Sequence, residues 1–341
     1  MAKDIVRATR QNPKANVFFA NYALAARKAE KRRHSLEKLG EHIPSFLIAS
    51  ITRSCNLNCS GCYDRANRGA KCGGELRVED WRRIFSQAGE AGVCAILLAG
   101  GEPFMRLEVI AEASAHPAIV FPVFTNGTML EDNAVTLLEK RHNIIPIVSI
   151  DGDAAQTNNR RGEGVYEKTE RAMARLNEKG LLFGASVTVT HENISTVISD
   201  GFLTSLKDKG CKAVVYVEYV PVENPELALN EAGRGLLAEW VRALRSRGEM
   251  IALSFPGDEK KSGGCLAAGR GFFHIDASGN AEPCPFSPYS DTNLKTASLR
   301  QALGSPLFTK LRESGSLAKE RIGACTLFEQ AHEVRALAAS V

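Results

Sequence analysis

The chain has 341 residues, 44% of them hydrophobic and 24% charged, with 43 lysines and arginines against 39 aspartates and glutamates. That composition suits an ordinary globular protein with a real core, large enough for one big domain or a big and a small one. The formal net charge of +4 is modest and gives no reason to expect nucleic acid or an anionic membrane as partner. No apolar run reaches the roughly 18–20 residues of a membrane span, and the N-terminus lacks the apolar stretch of a secretory signal. The expected compartment is therefore the cytoplasm. Nine cysteines stand unevenly, at 55, 59, 62, 72, 94, 211, 265, 284 and 325. In a reducing compartment such clustering points to metal or redox chemistry rather than disulfides.

Residues 1–45 read as a basic helical leader, with helix formers from Ala23 to Leu39 and a stop at Gly40 and Pro44. Its basic run is first of all a solvated face, and second a surface for an acidic partner. A strand is expected at Phe46–Thr52, then a helix at Leu76–Ala91. The alternation continues with strands at Cys94–Leu98, Ile119–Thr125, Ile144–Ile150, Phe183–Thr190 and Ala213–Val220. Helices fall between and after them, at Arg106–Ala115, Glu131–Arg141, Tyr166–Lys179, Ile194–Lys209 and Glu231–Arg247. Six strand-and-helix units predict an α/β fold with a parallel sheet, either a partial (β/α)6 TIM-like barrel or an open doubly wound sheet. After residue 255 the rhythm stops. Pro256-Gly257 and Lys260–Gly264 read as a linker, Gly271–Glu282 as a hairpin around Ser278-Gly279, and three short helices follow near Leu299–Leu303, Pro306–Glu313 and Leu327–Ala338.

Cys55, Cys59 and Cys62 share one short loop directly after the first strand, at C-x3-C-x2-C spacing. In a parallel βα fold the loops after the strands gather on one face, where sites form. Three thiolates can hold three irons of a cubane and leave the fourth open, whereas structural zinc takes four protein ligands, usually in two pairs. This segment resembles the signature of the radical S-adenosylmethionine (SAM) superfamily. The resemblance implies a [4Fe–4S] cluster whose open iron is chelated by SAM, and reductive cleavage of SAM to a 5′-deoxyadenosyl radical that abstracts hydrogen from a substrate. The residue before the third cysteine is often aromatic in that family. Here it is Gly61, and Tyr63 follows, so an adenine contact falls to the backbone of Gly61 or to Tyr63.

Three further strand ends fit the same resemblance. Gly100-Gly101-Glu102-Pro103 looks like the GGEP motif that binds the methionine amino group, through a carboxylate and carbonyls that accept N–H donors. Thr125-Asn126 close the third strand with small polar side chains. Ser149 and Asp151, in S-x-D-G, are similar to the ribose-contacting segment, and Arg161-Gly162-x-Gly164-x-Tyr166 to the R-G-x-G-x-[FY] that follows it. Taken alone, each is an ordinary polar strand end.

The tail carries Cys265, Cys284 and Cys325. It is similar to the SPASM/twitch extension of radical SAM enzymes, with a C-x18-C hairpin around Gly279 and Pro283-Cys284 and an S-L-R-x-x-L-x-S-P-L run. The full SPASM form has seven or more cysteines and two clusters; three cysteines support one auxiliary Fe–S cluster at most, as in the short twitch form. Its fourth iron is open, or ligated by His274, Cys72 or an exogenous group. The aspartate that follows the hairpin cysteine in sulfatase-maturing relatives is replaced by Pro285, so that base role does not carry over. Cys94 and Cys211 read as buried hydrophobes. Cys72 and Tyr219 are the weak candidates for a hydrogen donor, with Glu218 beside Tyr219 and only one of that pair pointing inward.

The sequence thus predicts three segments: a leader (1–45), a core barrel (46–255) and a twitch-like unit (256–341). The expected activity is radical SAM chemistry, fed by an external donor of flavodoxin or ferredoxin type. A ribosomally made peptide is the first substrate choice, which with so short a leader implies a separate recognition protein. The second is a small molecule such as a tetrapyrrole side chain, because enzymes of that chemistry have a similar Pro-Cys-Pro-Phe hairpin. The rival from another class is a non-catalytic Fe–S electron carrier, which would have no need of the Gly100–Pro103 turn.

Overall fold

Apolar runs of five to seven residues, each followed by an amphipathic segment, pack side by side as a parallel sheet covered by helices. The computed structural model describes residues 12–67, 74–256, 263–319 and 325–341. A long helix α1 (Pro13–Glu37) precedes strand β1 (Phe46–Thr52), short helix α2 (Tyr63–Asn67) and helix α3 (Val78–Ala91). Then come β2 (Ala95–Gly100), α4 (Leu107–Ser114), β3 (Phe121–Thr125), α5 (Asp132–Lys140) and β4 (Ile144–Ser149). Helices α6 (Ala154–Arg161) and α7 (Val165–Glu178) lead to β5 (Gly184–Val189), and α8 (Ile194–Val197) and α9 (Asp200–Asp208) to β6 (Ala213–Glu218). Helix α10 (Glu231–Arg247) returns to β7 (Ile251–Phe255).

The sheet order is β7-β6-β5-β4-β3-β2-β1 without a reversal. A doubly wound sheet reverses its order at a switch point; a strictly sequential order is that of a rolled, partial barrel. The roll extends past β1. Strand β8 (His274–Ile275) pairs parallel with Ile48 and Ala49, and β9 (Ala281–Glu282) closes an antiparallel hairpin on it. The C-terminal segment therefore continues the barrel sheet, and one apolar core runs through both, from Leu47 to Phe308 and Val334. One strand goes beyond the six and the hairpin expected: β7 follows a helix that ends at Gly248 and is only five residues long. The hairpin expected at Gly271–Glu282 is present as β8 and β9. The segment expected as one helix from Ile194 breaks at Ser199, whose hydroxyl caps α9.

Helices α11 (Leu299–Leu303), α12 (Pro306–Glu313), α13 (Thr326–Glu329) and α14 (Ala331–Ala339) pack behind the hairpin. Helix α1 crosses the N-terminal ends of the strands, where Tyr22 donates to the Cys94 carbonyl at 2.8 Å and Asn12 to the Gly180 carbonyl at 3.0 Å. Helix α3 shows why these segments are helical. Trp81, Ile84, Phe85 and Ala88 recur at three- and four-residue steps and are all buried, Asp80 accepts from the Arg77 N–H at its start, and Gly92 ends it in the left-handed region. Among the described residues no helix is long and apolar enough to cross a membrane.

Trp81 is fully buried, stacks on Phe85, and has an indole N–H without a partner among the described residues. Trp81→Ala is expected to cost about 3–5 kcal/mol in urea unfolding, from lost transfer energy plus a cavity. Trp81→Phe should cost markedly less, because it removes an unsatisfied donor along with part of the ring.

Candidate active site

The loop after β1 is held against the turn after β2 by two backbone hydrogen bonds. Gly101 N–H donates to the Thr52 carbonyl and Glu102 N–H to the Ser54 carbonyl, both at 2.8 Å. No side chain fits at this approach: a methyl group on Gly100 would overlap the Thr52 carbonyl, and one on Gly101 that of Ser54. The glycine pair is thus what lets the second loop lie against Cys55.

Glu102 is fully buried. One carboxylate oxygen accepts from Phe104 N–H (3.1 Å) and the Thr125 hydroxyl (2.7 Å), the other from Asn126 N–H (2.7 Å). Burial pushes this carboxyl up, opposed by those three donors and by Arg161. Asn126 in turn donates to the Asn56 side chain in the cysteine loop at 2.9 Å. Glu102, Thr125 and Asn126 thus brace three loops to one another, and Pro103 begins the 3-10 turn behind them.

Asp151 plays a similar part across the mouth. Arg161 grips it with Nε at 2.6 Å and Nη2 at 3.2 Å, Arg160 reaches it at 3.1 Å, and Thr188 N–H donates at 3.1 Å. Burial alone would raise the Asp151 carboxyl, yet the two arginines hold it below the usual range. The fully buried Arg161 guanidinium is itself kept charged by Asp151 and by its proximity to Cys59 and Cys62. A positive charge therefore sits beside two thiols. The arginine pair lies on α6, whose start is fixed by a reciprocal cap between Asp153 and Gln156; no helix expected from the sequence covers this stretch.

Alternation along the strands separates two faces. Ile96, Leu98, Val148, Val187 and Val214 are sealed under the helices, while Leu97, Phe124, Ser149, Thr188 and Val217, on the opposite register, are partly open. The barrel interior is thus mixed: Leu97, Phe124 and Val217 are apolar, while Ser149 stands beside Ser186 in the β4–β5 register, with Thr188 next along β5. At the end of β6 it is Tyr219 that faces the cysteine loop: its ring and hydroxyl lie where a side chain on Gly61 would stand. Neighbouring Glu223 accepts from the Gly61 N–H at 3.0 Å and pairs with Arg65 at 2.8 Å. Tyr63 turns away from the loop, edge-on to Phe286 at 5.3 Å.

Cys265, Cys284 and Cys325 are all buried. Burial, then contact with Cys325 and the nearby Cys265, push the Cys284 thiol far up, so the three converge although 19 and 41 residues separate them along the chain. Cys325 packs with Val220 and Phe286, and Asn67 donates to the Pro285 carbonyl at 3.2 Å, so both cysteine trios lie at the same mouth. His274 is not free to ligate, because both its ring nitrogens are hydrogen-bonded. Cys72 lies outside the described residues. Cys211 is buried with its thiol pushed up to about 12 by that burial, as a structural cysteine should be.

The donor chemistry of each trio fits an Fe–S cluster. In the first, burial, the Glu102 carboxylate and the neighbouring Cys59 and Cys62 push the Cys55 thiol up, against the Leu57 N–H that lowers it; bound metal would reverse that cost by taking the thiolates as ligands. Among the described residues no three donors converge on a single-ion position. Cubane ligands stand further apart than zinc ligands, since each thiolate binds its own iron.

Residues 49–199 match the model of the radical SAM superfamily. The chain carries a radical SAM domain over these residues. Its radical SAM domain carries the first cysteine trio, the Gly100–Pro103 turn, Thr125, Asn126, Ser149 and Asp151, and the family implies a [4Fe–4S] cluster and SAM as cofactors. The AdoMet-dependent heme synthase of Methanosarcina barkeri is 26% identical over 83% of this chain and 88% of that one. The PqqA peptide cyclase of Granulibacter bethesdensis is 26% identical over 79% of this chain and 76% of its own. Among solved structures, Streptococcus suis SuiB bound to its precursor peptide SuiA shares the fold with a TM-score of 0.68 and 20% identity, covering 89% of this chain and 74% of that one. The chain is a radical SAM enzyme with a partial-barrel fold.

Asp151→Asn would leave the buried Arg161 and the half-buried Arg160 without their counter-charge, at an expected cost of about 3–5 kcal/mol in unfolding. The pH dependence follows from the sign of its shift. A carboxyl held below its unfolded value stabilises fully above about pH 4 and loses that contribution as pH falls through the depressed native value. The stability of Asp151→Asn measured against pH should therefore lack the part of the acid-side decline that wild type shows below about pH 4.

Proposed function

We propose that Cys55, Cys59 and Cys62 hold the [4Fe–4S] cluster at which SAM binds. We also propose that Cys265, Cys284 and Cys325 hold an auxiliary Fe–S cluster in a twitch-like unit formed by residues 256–341. The observation that carries this reading is the paired hydrogen bonding of Gly101 and Glu102 to Thr52 and Ser54, which lays a glycine turn against the loop of Cys55, Cys59 and Cys62. When bound, the cluster and SAM supply a carbon-centred radical able to take hydrogen from an unactivated position. Everything else is orientation by this chain.

The Gly100 and Gly101 carbonyls receive the methionine ammonium group, with Glu102 bracing the turn rather than presenting its own oxygens. Arg160 and Arg161, kept cationic by Asp151, offer donors for a carboxylate at the cluster loop. Ser149 faces the ribose side, and the Gly61 backbone and the Tyr219 ring border the adenine end, with Tyr63 on the hairpin side. A surface groove of about 550 Å³ lined by Arg270, Arg300 and Arg312 lies beside the Cys265 loop, where Arg270 donates to the Cys265 carbonyl at 2.7 Å. This supports docking of an acidic electron donor of flavodoxin or ferredoxin type. The reading places the enzyme in the cytoplasm, with residues 46–255 as the core barrel.

The substrate we favour is a peptide, in keeping with the fold shared with SuiB bound to SuiA. A second reading, a carboxylated tetrapyrrole, is favoured by the alignment with the heme synthase over most of both chains.

Anaerobically purified protein should hold about eight irons, one cubane per cysteine trio, and should form 5′-deoxyadenosine from SAM and a low-potential reductant. Cys55→Ala should abolish that product and remove about four irons, whereas Cys284→Ala should also lose about four irons yet still cleave SAM. Absence of 5′-deoxyadenosine with four or more irons present would refute the reading. Deuterium carried into 5′-deoxyadenosine from a labelled peptide, or from a labelled tetrapyrrole, separates the two substrate classes.

A further inference from the structure

Three side chains that the cofactor reading leaves without a task form a buried group between β1 and the C-terminal hairpin, with Tyr63 at its edge. His274, on β8, is 1% exposed, Glu282, on β9, 2%, and Ser50, on β1, 4%. His274 Nδ1 lies 2.7 Å from Glu282 Oε2, and His274 Nε2 lies 2.8 Å from Ser50 Oγ. The Tyr63 side chain comes close to Ser50 in turn. Tyr63 directly follows Cys62, and Glu282 stands two residues before Cys284. An ionised carboxylate can only accept, so Nδ1–H is the donor to Glu282. A histidine sealed in a core with both nitrogens engaged has no solvent to exchange with. A buried carboxylate held by an imidazole is a costly arrangement, so its presence calls for a task other than folding.

We propose that the His274–Glu282 pair sets the charge next to the Cys284 site, so that these residues tune how readily that site takes up an electron, while Ser50 and Tyr63 hold it in register with the Cys62 loop. The inference rests on the auxiliary-cluster reading above. Its physical basis is that the potential of an Fe–S cluster follows the net charge and hydrogen bonding around it, and that a charge acts most strongly where water is excluded. His274 and Glu282 are positioning residues here; neither is free to serve as a ligand. The two partners have opposite effects. The imidazole donor offsets the carboxylate's negative charge, which opposes adding an electron.

The test is an EPR-monitored redox titration of the full anaerobic protein, with the auxiliary signal identified as the one missing from Cys284→Ala. His274→Gln should retain about eight irons and shift the auxiliary midpoint to more negative potential. Glu282→Gln should shift it to more positive potential, and the double variant should lie between them. The midpoint of the cluster on Cys55, Cys59 and Cys62 should not move in any of the three. A role confined to packing would move both single variants the same way or strip iron. Shifts of the same sign, no shift with all irons kept, or loss of about four irons from either variant would overturn the inference. About four irons in the wild type would instead refute the auxiliary cluster itself, and with it this tuning role.

Discussion

One buried carboxylate organises the mouth of this barrel. Glu102 hangs from the Ser54 carbonyl by its own N–H and gathers Phe104, Thr125 and Asn126 around its two oxygens. Asn126 then reaches Asn56 between the first two cysteines. Three strand ends and the cysteine loop are thereby tied to one fully buried group, which is tolerable only because both of its oxygens are satisfied. Removing one donor would leave a charge stranded in the core. The cysteine loop is short and rich in polar backbone, with few apolar contacts of its own, so its geometry depends on this tie.

A second buried charge works across the same opening. Asp151 pairs with Arg160 and Arg161 and holds Arg161 beside Cys59 and Cys62. A cubane with thiolate ligands is anionic, and SAM brings a carboxylate of its own. A pre-placed guanidinium pair suits both, and Asp151 keeps the net charge of that corner from becoming excessive. The C-terminal unit joins by sheet pairing rather than by a flexible tether. Strand β8 extends β1, and Phe286 and Val220 pack against Tyr63 and Cys325, so the second trio is built into the same wall as the first.

Much of this was legible in the sequence. Six of the parallel strands follow from apolar runs at βα spacing, and three ordered motifs at their ends identified the chemistry. Periodicity could not tell a barrel from a doubly wound sheet; the sequential order β7 to β1 does. Helix α6 was missed because its sequence, AAQTNNRR, has no apolar stripe and forms around a cap and a buried ion pair. Glu102 and Asp151 were expected to face the cofactor. Motif position revealed that they matter, but only three-dimensional contacts show that their oxygens are engaged by the protein itself. The choice of Tyr219 over Glu218 likewise depends on its approach to Gly61, a contact between residues 158 apart. The group from Tyr63 to Glu282 has no sequence signature at all, since it joins β1 to a hairpin more than two hundred residues later.

The central claim is that the trio at Cys55, Cys59 and Cys62 carries an iron that SAM can reach. The most direct measurement is the low-temperature EPR spectrum of the reduced Cys284→Ala protein, recorded before and after adding SAM. The account predicts a single reduced cluster whose spectrum changes on SAM addition, as a ligand enters the open coordination position. A spectrum indifferent to saturating SAM, with the cluster present, would contradict it.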